Sequence, residues 1–307
     1  LLAAAAPLWG DSEITTFTDL NFTISSLPEA KLGVTQNFVF PVLQGTGPLT
    51  MGNNLRTALT AELSPISVNG IAEFIWTPIA FFQAAAGARA GSGWNIALFG
   101  SDIKGIGINR RGPGGTAETE GSGFEGLLWS AQAGGTLQFD LAAVLPGDWH
   151  HVVFQSYHEI RYKGYTAAAS GDSWYFENDD GENRNGFNYY GNFLLGYQMP
   201  LFLNTLALMA EVDKYLYDTP GRDDWGDGLG RWTFSALFNF TITERFSAAL
   251  AAQFRTRRNY TDDTKDAAFY QDRRIRDNPS RHLEFYRVAL IMTLRLHQGA
   301  LGKSNVP

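Results

Sequence analysis

The chain has 307 residues, a net charge of −7, no cysteine and many aromatic and glycine residues, with 44% of the chain hydrophobic. This apolar content excludes an intrinsically disordered protein, and the lack of cysteine excludes a disulfide framework and a cysteine-ligated metal or haem. The acidic balance argues against a nucleic-acid partner, and we predict no cofactor. Charged residues make up only 18% of the chain, against about 25% in ordinary soluble domains.

The first ten residues, LLAAAAPLWG, resemble the end of a signal-peptide apolar region with its small-residue cleavage site. We therefore expect residues 1–12 to be a signal-peptide remnant or an N-terminal tail. No later run of 18 apolar residues predicts a transmembrane helix. A membrane is also crossed by strands, which appear as segments of about ten residues that alternate apolar and polar side chains.

Such alternation runs through most of the chain and predicts strands in regular succession. In chain order, the predicted strands lie at 13–25, 31–43, 53–63, 66–76, 79–91, 127–141, 149–163, 189–198, 205–216, 231–243, 246–257 and 287–296. The hairpin Trp232–Phe254 is the clearest, because alternate residues from Trp232 to Ile242 and again from Phe246 to Phe254 are apolar. Thr243–Arg245 between them is short enough for a tight turn.

The pattern predicts an all-β fold, an antiparallel transmembrane β-barrel over residues 13–297 followed by a C-terminal tail, 298–307. Twelve strands are favoured within a range of ten to twelve, since an even number closes a bacterial barrel. The count falls to eleven if 53–76 is one strand running through Ser64 and Pro65. A soluble all-β protein is the alternative, because half-buried strands also alternate.

The predicted connections differ in length, as the short periplasmic turns and long extracellular loops of outer-membrane barrels do. The short ones lie at 77–78, 145–148, 199–203 and 243–245, and the long polar ones at 92–122, 166–186, 218–229 and 261–281.

The hairpin Trp232–Phe254, with the alternation over 13–297, resembles Gram-negative bacterial outer-membrane β-barrel proteins of the porin-like kind. The segment Trp76–Phe82 is similar to outer-membrane proteins of spirochaetes. The resemblance implies a place in the bacterial outer membrane, contact with its lipids, and a porin or channel function for small polar solutes. Many such barrels end on an aromatic residue, whereas here the predicted last strand ends near Leu296 and His297.

Charged residues of both signs fall on the predicted inner faces and are our candidates for the pore lining. They are Arg56, Glu62, Arg89, Asp140, Glu159, Arg161, Glu211, Asp213, Arg255, Arg257, Arg287 and Arg295. Opposed rows of charge orient polar solutes and tune ion selectivity in a channel. The same residues satisfy one another if ion pairs close the lumen.

Ser156 and His158 lie two residues apart on a predicted outer face. This placement resembles outer-membrane phospholipase A, although the order of the two residues is reversed and only Asn188 or Asn192 offers a third partner. Because a Ser–His proximity is a weak signal, a lipid hydrolase is a minor alternative and we predict no enzyme.

Three further motifs fall in the predicted loops. We expect the basic run at 273–276 with Arg281, the acidic stretch Glu177–Asn183 and the glycine-rich segment Gly105–Gly115 to be exposed loops. The acidic stretch lacks the EF-hand spacing, so no metal is predicted. The alternative function is a non-conducting surface protein whose long loops bind host or matrix components. The oligomeric state stays open.

Overall fold

The computed structural model describes residues 13–27, 29–98, 101–111, 117–120, 123–177, 179, 181–219, 225–267, 272–276 and 281–301. The expected signal-peptide remnant, 1–12, lies outside these residues. In the described part, no helix has the length and hydropathy needed to cross a membrane.

Seventeen strands form in the described residues, and twelve of them close a barrel. In chain order they are β1 (Ile14–Ser25), β2 (Glu29–Pro41), β3 (Asn54–Ser64), β4 (Ser67–Ile79), β5 (Phe82–Gly93), β6 (Ile96–Leu98), β7 (Ser101–Ile103), β8 (Ile106–Arg111), β9 (Ala117–Glu120), β10 (Leu128–Asp140), β11 (Val152–Tyr165), β12 (Ser173–Phe176), β13 (Gly186–Gln198), β14 (Leu203–Tyr215), β15 (Arg231–Thr241), β16 (Phe246–Arg258) and β17 (Arg281–Leu301). The barrel order is β1-β17-β16-β15-β14-β13-β11-β10-β5-β4-β3-β2. The predicted closed antiparallel barrel is therefore confirmed, with twelve strands.

The two-residue period separates an apolar outer face from a polar inner one. Phe234 pairs with Phe254 across β15 and β16, and both side chains are exposed on the outside. The next pair, Ser235 and Gln253, is buried, and its side chains hydrogen-bond over 3.0 Å. Large exposed apolar residues recur on the outer face of most barrel strands, which is the surface that a lipid environment requires.

A tight turn separates β3 from β4, so the eleven-strand alternative is wrong. Ser64 pairs with Ser67, and the side-chain oxygens of the two lie 2.8 Å apart. The predicted turn at 77–78 is also wrong, because β4 continues to Ile79 and turns at 80–81. A register shift between Trp76 and Ile79 contains Pro78, as expected for a residue that cannot donate to a ladder.

The last strand is longer than the sequence indicates. Residues 298–301, assigned above to the tail, belong to β17 and pair with β1, Leu301 opposite Ile14 and Gln298 opposite Phe17. A register shift opposite Thr18 changes the phase of the alternation there. That change hides the continuation of the strand from a simple two-residue pattern.

The barrel has a loop end and a turn end. The loop end carries the connections 26–28, 65–66, 94–127, 166–185, 216–230 and 259–280, and the turn end carries 42–53, 80–81, 141–151, 199–202 and 242–245. The four predicted long loops are therefore found at one end. The remaining two connections at that end, 26–28 and 65–66, are tight turns.

Candidate functional site

All twelve predicted lining residues lie on inner-face positions of the barrel strands. The structure distributes them around the whole wall instead of gathering them into two facing rows. Most of them are matched locally by a partner of opposite charge, and several of those partners were missed by the sequence analysis.

On β16 and β17 three of the basic candidates, Arg255, Arg257 and Arg287, are held by two glutamates that the sequence did not point to. Arg255 and Arg257 share Oε1 of Glu284, at 3.2 and 2.5 Å. Arg287 pairs with Glu29 and also donates to Gln253 over 2.6 Å. Glu211 and Asp213, the acidic candidates of β14, have partners on other strands.

The acidic candidates Glu211 and Asp213 lie on β14. The hydroxyl of Tyr190 donates to Glu211 over 2.5 Å. Asp213 lies 3.7 Å from Nζ of Lys163 and accepts a hydrogen bond from Asn188. In this part of the wall, the acidic side chains of β14 therefore contact side chains of β13, its neighbour, and of β11, the next strand beyond it.

The other candidates form separate pairs around the wall. Their contacts are Arg161 with Glu159 at 2.6 Å, Arg295 with Asp19 at 2.8 Å, Arg89 with Glu62 at 3.8 Å, and Asp140 with His151 at 2.7 Å. Arg56, near the turn end of β3, makes no hydrogen bond or ion pair within the described residues.

A loop segment reaches into the mouth of the barrel and brings Glu177 to the inner wall. Oε2 of Glu177 lies 2.5 Å from Nζ of Lys31 on β2. Its Oε1 accepts hydrogen bonds from Ser67, Asn69 and Arg89 at 2.9, 3.0 and 3.3 Å. The expectation that the acidic stretch is wholly a solvated surface loop is therefore wrong, because three strands of the wall supply donors for its first carboxylate.

The same segment contacts the other side of the barrel through Glu182. Oε2 of Glu182 lies 3.6 Å from Arg258 on β16 and 3.9 Å from Arg231 on β15. In the closed twelve-strand order, β15 lies opposite β4 and β16 lies opposite β5, while β2 is three strands away from β16. We name the stretch from Phe176 to Arg184, described except for 178 and 180, the crossbar, since it spans the mouth.

A small hydrophobic core fixes the base of the crossbar. Strands β12, β8 and β9 form a three-stranded sheet. Apolar residues of this sheet pack against β10 and β11 at the loop end of the barrel. The buried members of this core are Ile106, Ile108, Leu128, Tyr165, Trp174 and Phe176. Burial of these side chains stabilises the loop assembly by roughly 1.5–3 kcal/mol each relative to exposure.

A buried ion pair fixes the far end of the crossbar. Nε of Arg184 lies 3.2 Å from Oδ2 of Asp227, and both side chains are 3% exposed. The guanidinium stacks 4.0 Å above the ring of Tyr215, and Thr219 donates two further hydrogen bonds to Asp227. The crossbar is thereby joined to the loop between β14 and β15.

Glu177 is held in an ionised state in an uncommon backbone conformation. Burial alone raises the pKa of its carboxyl, but the charges of Lys31 and Arg89 and the hydrogen bonds from Lys31 and Ser67 outweigh it and hold the pKa below its usual 4.5. The backbone has φ of 54°, a left-handed conformation that costs free energy for a residue other than glycine. Its amide donates to the carbonyl of Gly105 over 2.7 Å.

Two cavities flank the crossbar. One of about 600 Å³ lies along the loop ends of β15, β16 and β17, and we name it the basin. The described charged residues that line it are Glu182, Arg231, Arg255, Arg257, Arg258, Asp262, Lys265, Arg273, Arg276, His282 and Glu284. A smaller cavity of about 320 Å³ lies against Phe176 and Glu177 on the other side.

The Ser156–His158 pair does form a hydrogen bond on the outer face. Oγ of Ser156 lies 2.9 Å from Nε2 of His158, and Nδ1 of His158 lies 2.7 Å from the hydroxyl of Tyr189. The third partner is therefore Tyr189 instead of the predicted Asn188 or Asn192. The chain of polar groups satisfies the histidine on a face that is otherwise apolar.

No family model matches the chain, and no curated protein matches it. Among solved structures, the chain is similar to one named KdgM porin, with 10% sequence identity and a TM-score of 0.39 over 93% of this chain and 100% of that chain. The architecture itself is informative, because a closed twelve-stranded antiparallel barrel with an apolar outside and a charged inside is the construction of a membrane-spanning barrel. The chain is thus a closed twelve-stranded antiparallel β-barrel of the transmembrane kind.

Proposed function

We propose that this protein is a channel of the bacterial outer membrane that passes small polar solutes. The observation that carries the proposal is the inner wall, where charged and hydrogen-bonding side chains of both signs cover the interior of a closed barrel. A polar interior of this kind holds water, and water-filled barrels conduct. Outer-membrane lipids around the barrel and polar solutes inside it are its proposed partners.

The distribution of charge supports polar solutes over apolar ones. Arg255 and Glu284, for example, keep 12% and 30% of their side chains exposed, so a solute in the lumen meets a fixed cation and a fixed anion side by side. Such pairs offer hydrogen bonds to hydroxyl, amide and charged groups and none to hydrocarbon.

Planar-bilayer recording of the purified full chain tests the channel. We expect discrete conductance steps that disappear after heat unfolding. Ala249, on the inner face of β16, and Ala248, next to it on the outer face, give a matched pair. Ala249→Trp narrows the lumen and lowers the conductance, whereas Ala248→Trp places its ring among lipids and leaves it unchanged. Equal effects of the two variants would place the current outside the lumen.

The crossbar favours a second candidate, a non-conducting surface barrel with ordered extracellular loops. Its hydrophobic core and the contacts of Glu177 fold loop residues across the mouth. Absence of current from both the native chain and Glu177→Gln, with the barrel intact, would support this candidate. Fractionation of bacterial membranes with the full chain tests the proposed outer-membrane location in either case.

A further inference from the structure

The crossbar reaches the barrel wall through two carboxylates, those of Glu177 and Glu182, whose contacts differ in length. Glu177 has four polar contacts between 2.5 and 3.3 Å. Glu182 approaches Arg258 and Arg231 only to 3.6 and 3.9 Å, and Tyr260 donates to it over 3.4 Å. These contacts are longer than those of Glu177, and the attraction between charges falls with distance. The Glu182 contact is therefore the weaker of the two that the crossbar makes with the barrel wall, whereas Arg184, two residues further on, is fixed to the loop between β14 and β15 by its buried pair with Asp227.

The basin around Glu182 has an excess of positive charge. Among the described residues that line it are seven lysines and arginines and three carboxylates. Two of these carboxylates are each shared by two guanidiniums, Glu182 of the crossbar by Arg231 and Arg258, and Glu284 of β17 by Arg255 and Arg257. Guanidiniums grouped in this way bind carboxylate and phosphate groups through paired hydrogen bonds.

We propose that the basin is a binding site for small anions that carry two or more charges, and that Glu182 is its built-in occupant. An anion that enters displaces Glu182 from Arg231 and Arg258 and so releases the crossbar from β15 and β16, while Arg184 stays paired with Asp227. Because the basin lies on the inner side of β15–β17, its ligand arrives from solvent and not from the lipid phase. The consequence for transport rests on the proposed channel function, but binding and release do not.

Hydrogen exchange of the full chain in detergent tests the release directly. The amides of Trp174 and Asn183 each donate to the carbonyl of the other, at 2.9 and 3.2 Å, so they report whether the crossbar base is closed. Inorganic phosphate at 5–10 mM is compared with sodium chloride at equal ionic strength, which removes simple screening as a cause. We expect exchange in the 173–185 region to accelerate by about tenfold with phosphate.

Three variants identify the site. Glu182→Gln mimics phosphate, with fast exchange in chloride and no further change on addition. Arg258→Gln removes a partner of both Glu182 and the bound phosphate, so exchange is already faster in chloride and the further acceleration by phosphate is largely lost. Arg245→Gln, in the exposed turn 242–245 at the other end of the barrel, keeps the native response. Unchanged or slower exchange with phosphate in the native chain would overturn the inference.

Bilayer recording separates this inference from the channel proposal. If the chain conducts, phosphate raises its conductance in the native form and not in Glu182→Gln. If no current flows in any condition while exchange still responds to phosphate, the channel proposal fails and the anion site stands. If the chain conducts while its exchange does not respond to phosphate, the anion site fails and the channel proposal stands.

Discussion

Oε2 of Glu177 lies 2.5 Å from Nζ of Lys31, although 146 residues separate the two in the chain. The contact joins an extracellular-type loop to the second strand of the barrel and places a carboxylate at the inner wall. Lys31 also lies 3.4 Å from Glu29, and Arg89 lies 3.8 Å from Glu62. The wall cations therefore keep acidic neighbours when the loop carboxylate is removed.

The first prediction concerns Glu177→Gln. The amide cannot form the ion pairs, and hydrogen bonds to charged groups contribute about 1.5–3 kcal/mol each. The crossbar therefore opens roughly 10- to 100-fold more often, because each 1.4 kcal/mol corresponds to a factor of ten. Bilayer recording measures this as longer or more frequent high-conductance intervals.

Glu244→Gln is the matched control for this variant, since Glu244 lies in the exposed turn 242–245 at the opposite end. Bilayer recordings of Glu244→Gln should show the same high-conductance intervals as the native chain. Glu177→Gln with native-like gating and native-like exchange in the 173–185 region would contradict a holding role for the carboxylate.

The second prediction is a pH dependence. Because the folded-state pKa of Glu177 lies below its usual 4.5, its contribution to the closed crossbar is fully present above about pH 4.5 and is lost as the pH falls through the lowered folded value. The pH profile of Glu177→Gln serves as the reference, because it shares the intrinsic pH dependence of amide exchange and the titration of Asp179, whose pKa burial raises to about 6. Relative to that profile, the conductance and exchange of the native chain should stay lower by a constant factor between pH 7 and 5 and rise toward those of the variant in more acidic solution. An equal rise in both forms would assign it to other groups.

The third prediction concerns Gly105, where the loop between β5 and β10 packs on the β3–β4 turn. A Cβ built at Gly105 would lie 2.2 Å from the carbonyl oxygen of Trp94 and 2.4 Å from that of Ile66. Gly105→Ala should displace the carbonyl that accepts from the Glu177 amide and open the crossbar. Gly47→Ala, where a Cβ meets nothing within 4 Å, is the control. Native-like exchange at 173–185 in Gly105→Ala would contradict this packing.

The fourth prediction concerns the buried pair of Arg184 and Asp227. Removing one member of a buried pair costs about 3–5 kcal/mol, because the other charge loses its partner. Asp227→Ala should make the loops sensitive to chymotrypsin while the barrel keeps its heat-modifiable gel mobility. Asp262→Ala removes a carboxylate that is 74% exposed, and should leave cleavage unchanged. Resistant loops in Asp227→Ala would show that the pair is dispensable.

The fifth prediction concerns Ser156. Ser156 is only 8% exposed. The backbone amides around it take part in the pairing of β11 with its neighbours β10 and β13. Those amides are not available to stabilise the oxyanion of an ester hydrolysis. We expect neither the native chain nor Ser156→Ala to hydrolyse phospholipid esters in mixed micelles. Native activity that Ser156→Ala abolishes would overturn the non-enzymatic assignment.

The barrel was predictable from the sequence because each strand carries its own evidence. Phe234 and Ser235 fall on opposite faces through the two-residue period alone, and the same rule places the twelve lining candidates on the inner face. Errors arose where the period changes phase. Glu284 was missed because a register shift between Gln253 and Phe254 moves even-numbered residues of β17 inward there.

The crossbar was not predictable, because its contacts join distant parts of the chain. A charged loop residue such as Glu177 is most simply assigned to solvent, and its partner Lys31 has no sequence signal that links the two. Tyr189 is different. By the two-residue period, Tyr189 falls on the same face of its predicted strand as Phe193, and Asn192 falls on the opposite face, so the alternation itself could have pointed to Tyr189.

The pairing of β1 with β17 has a kinetic consequence. Every other neighbouring pair in the barrel joins strands that are consecutive members of the barrel along the chain, so the sheet can grow one hairpin at a time. The pairing of Ile14 with Leu301 requires the two ends of that sheet to meet, which makes it the contact of highest loop-closure entropy. Until it forms, two strand edges face lipid with unpaired backbone groups. Closure of this seam therefore pairs the last two strand edges of the barrel and leaves it without an edge.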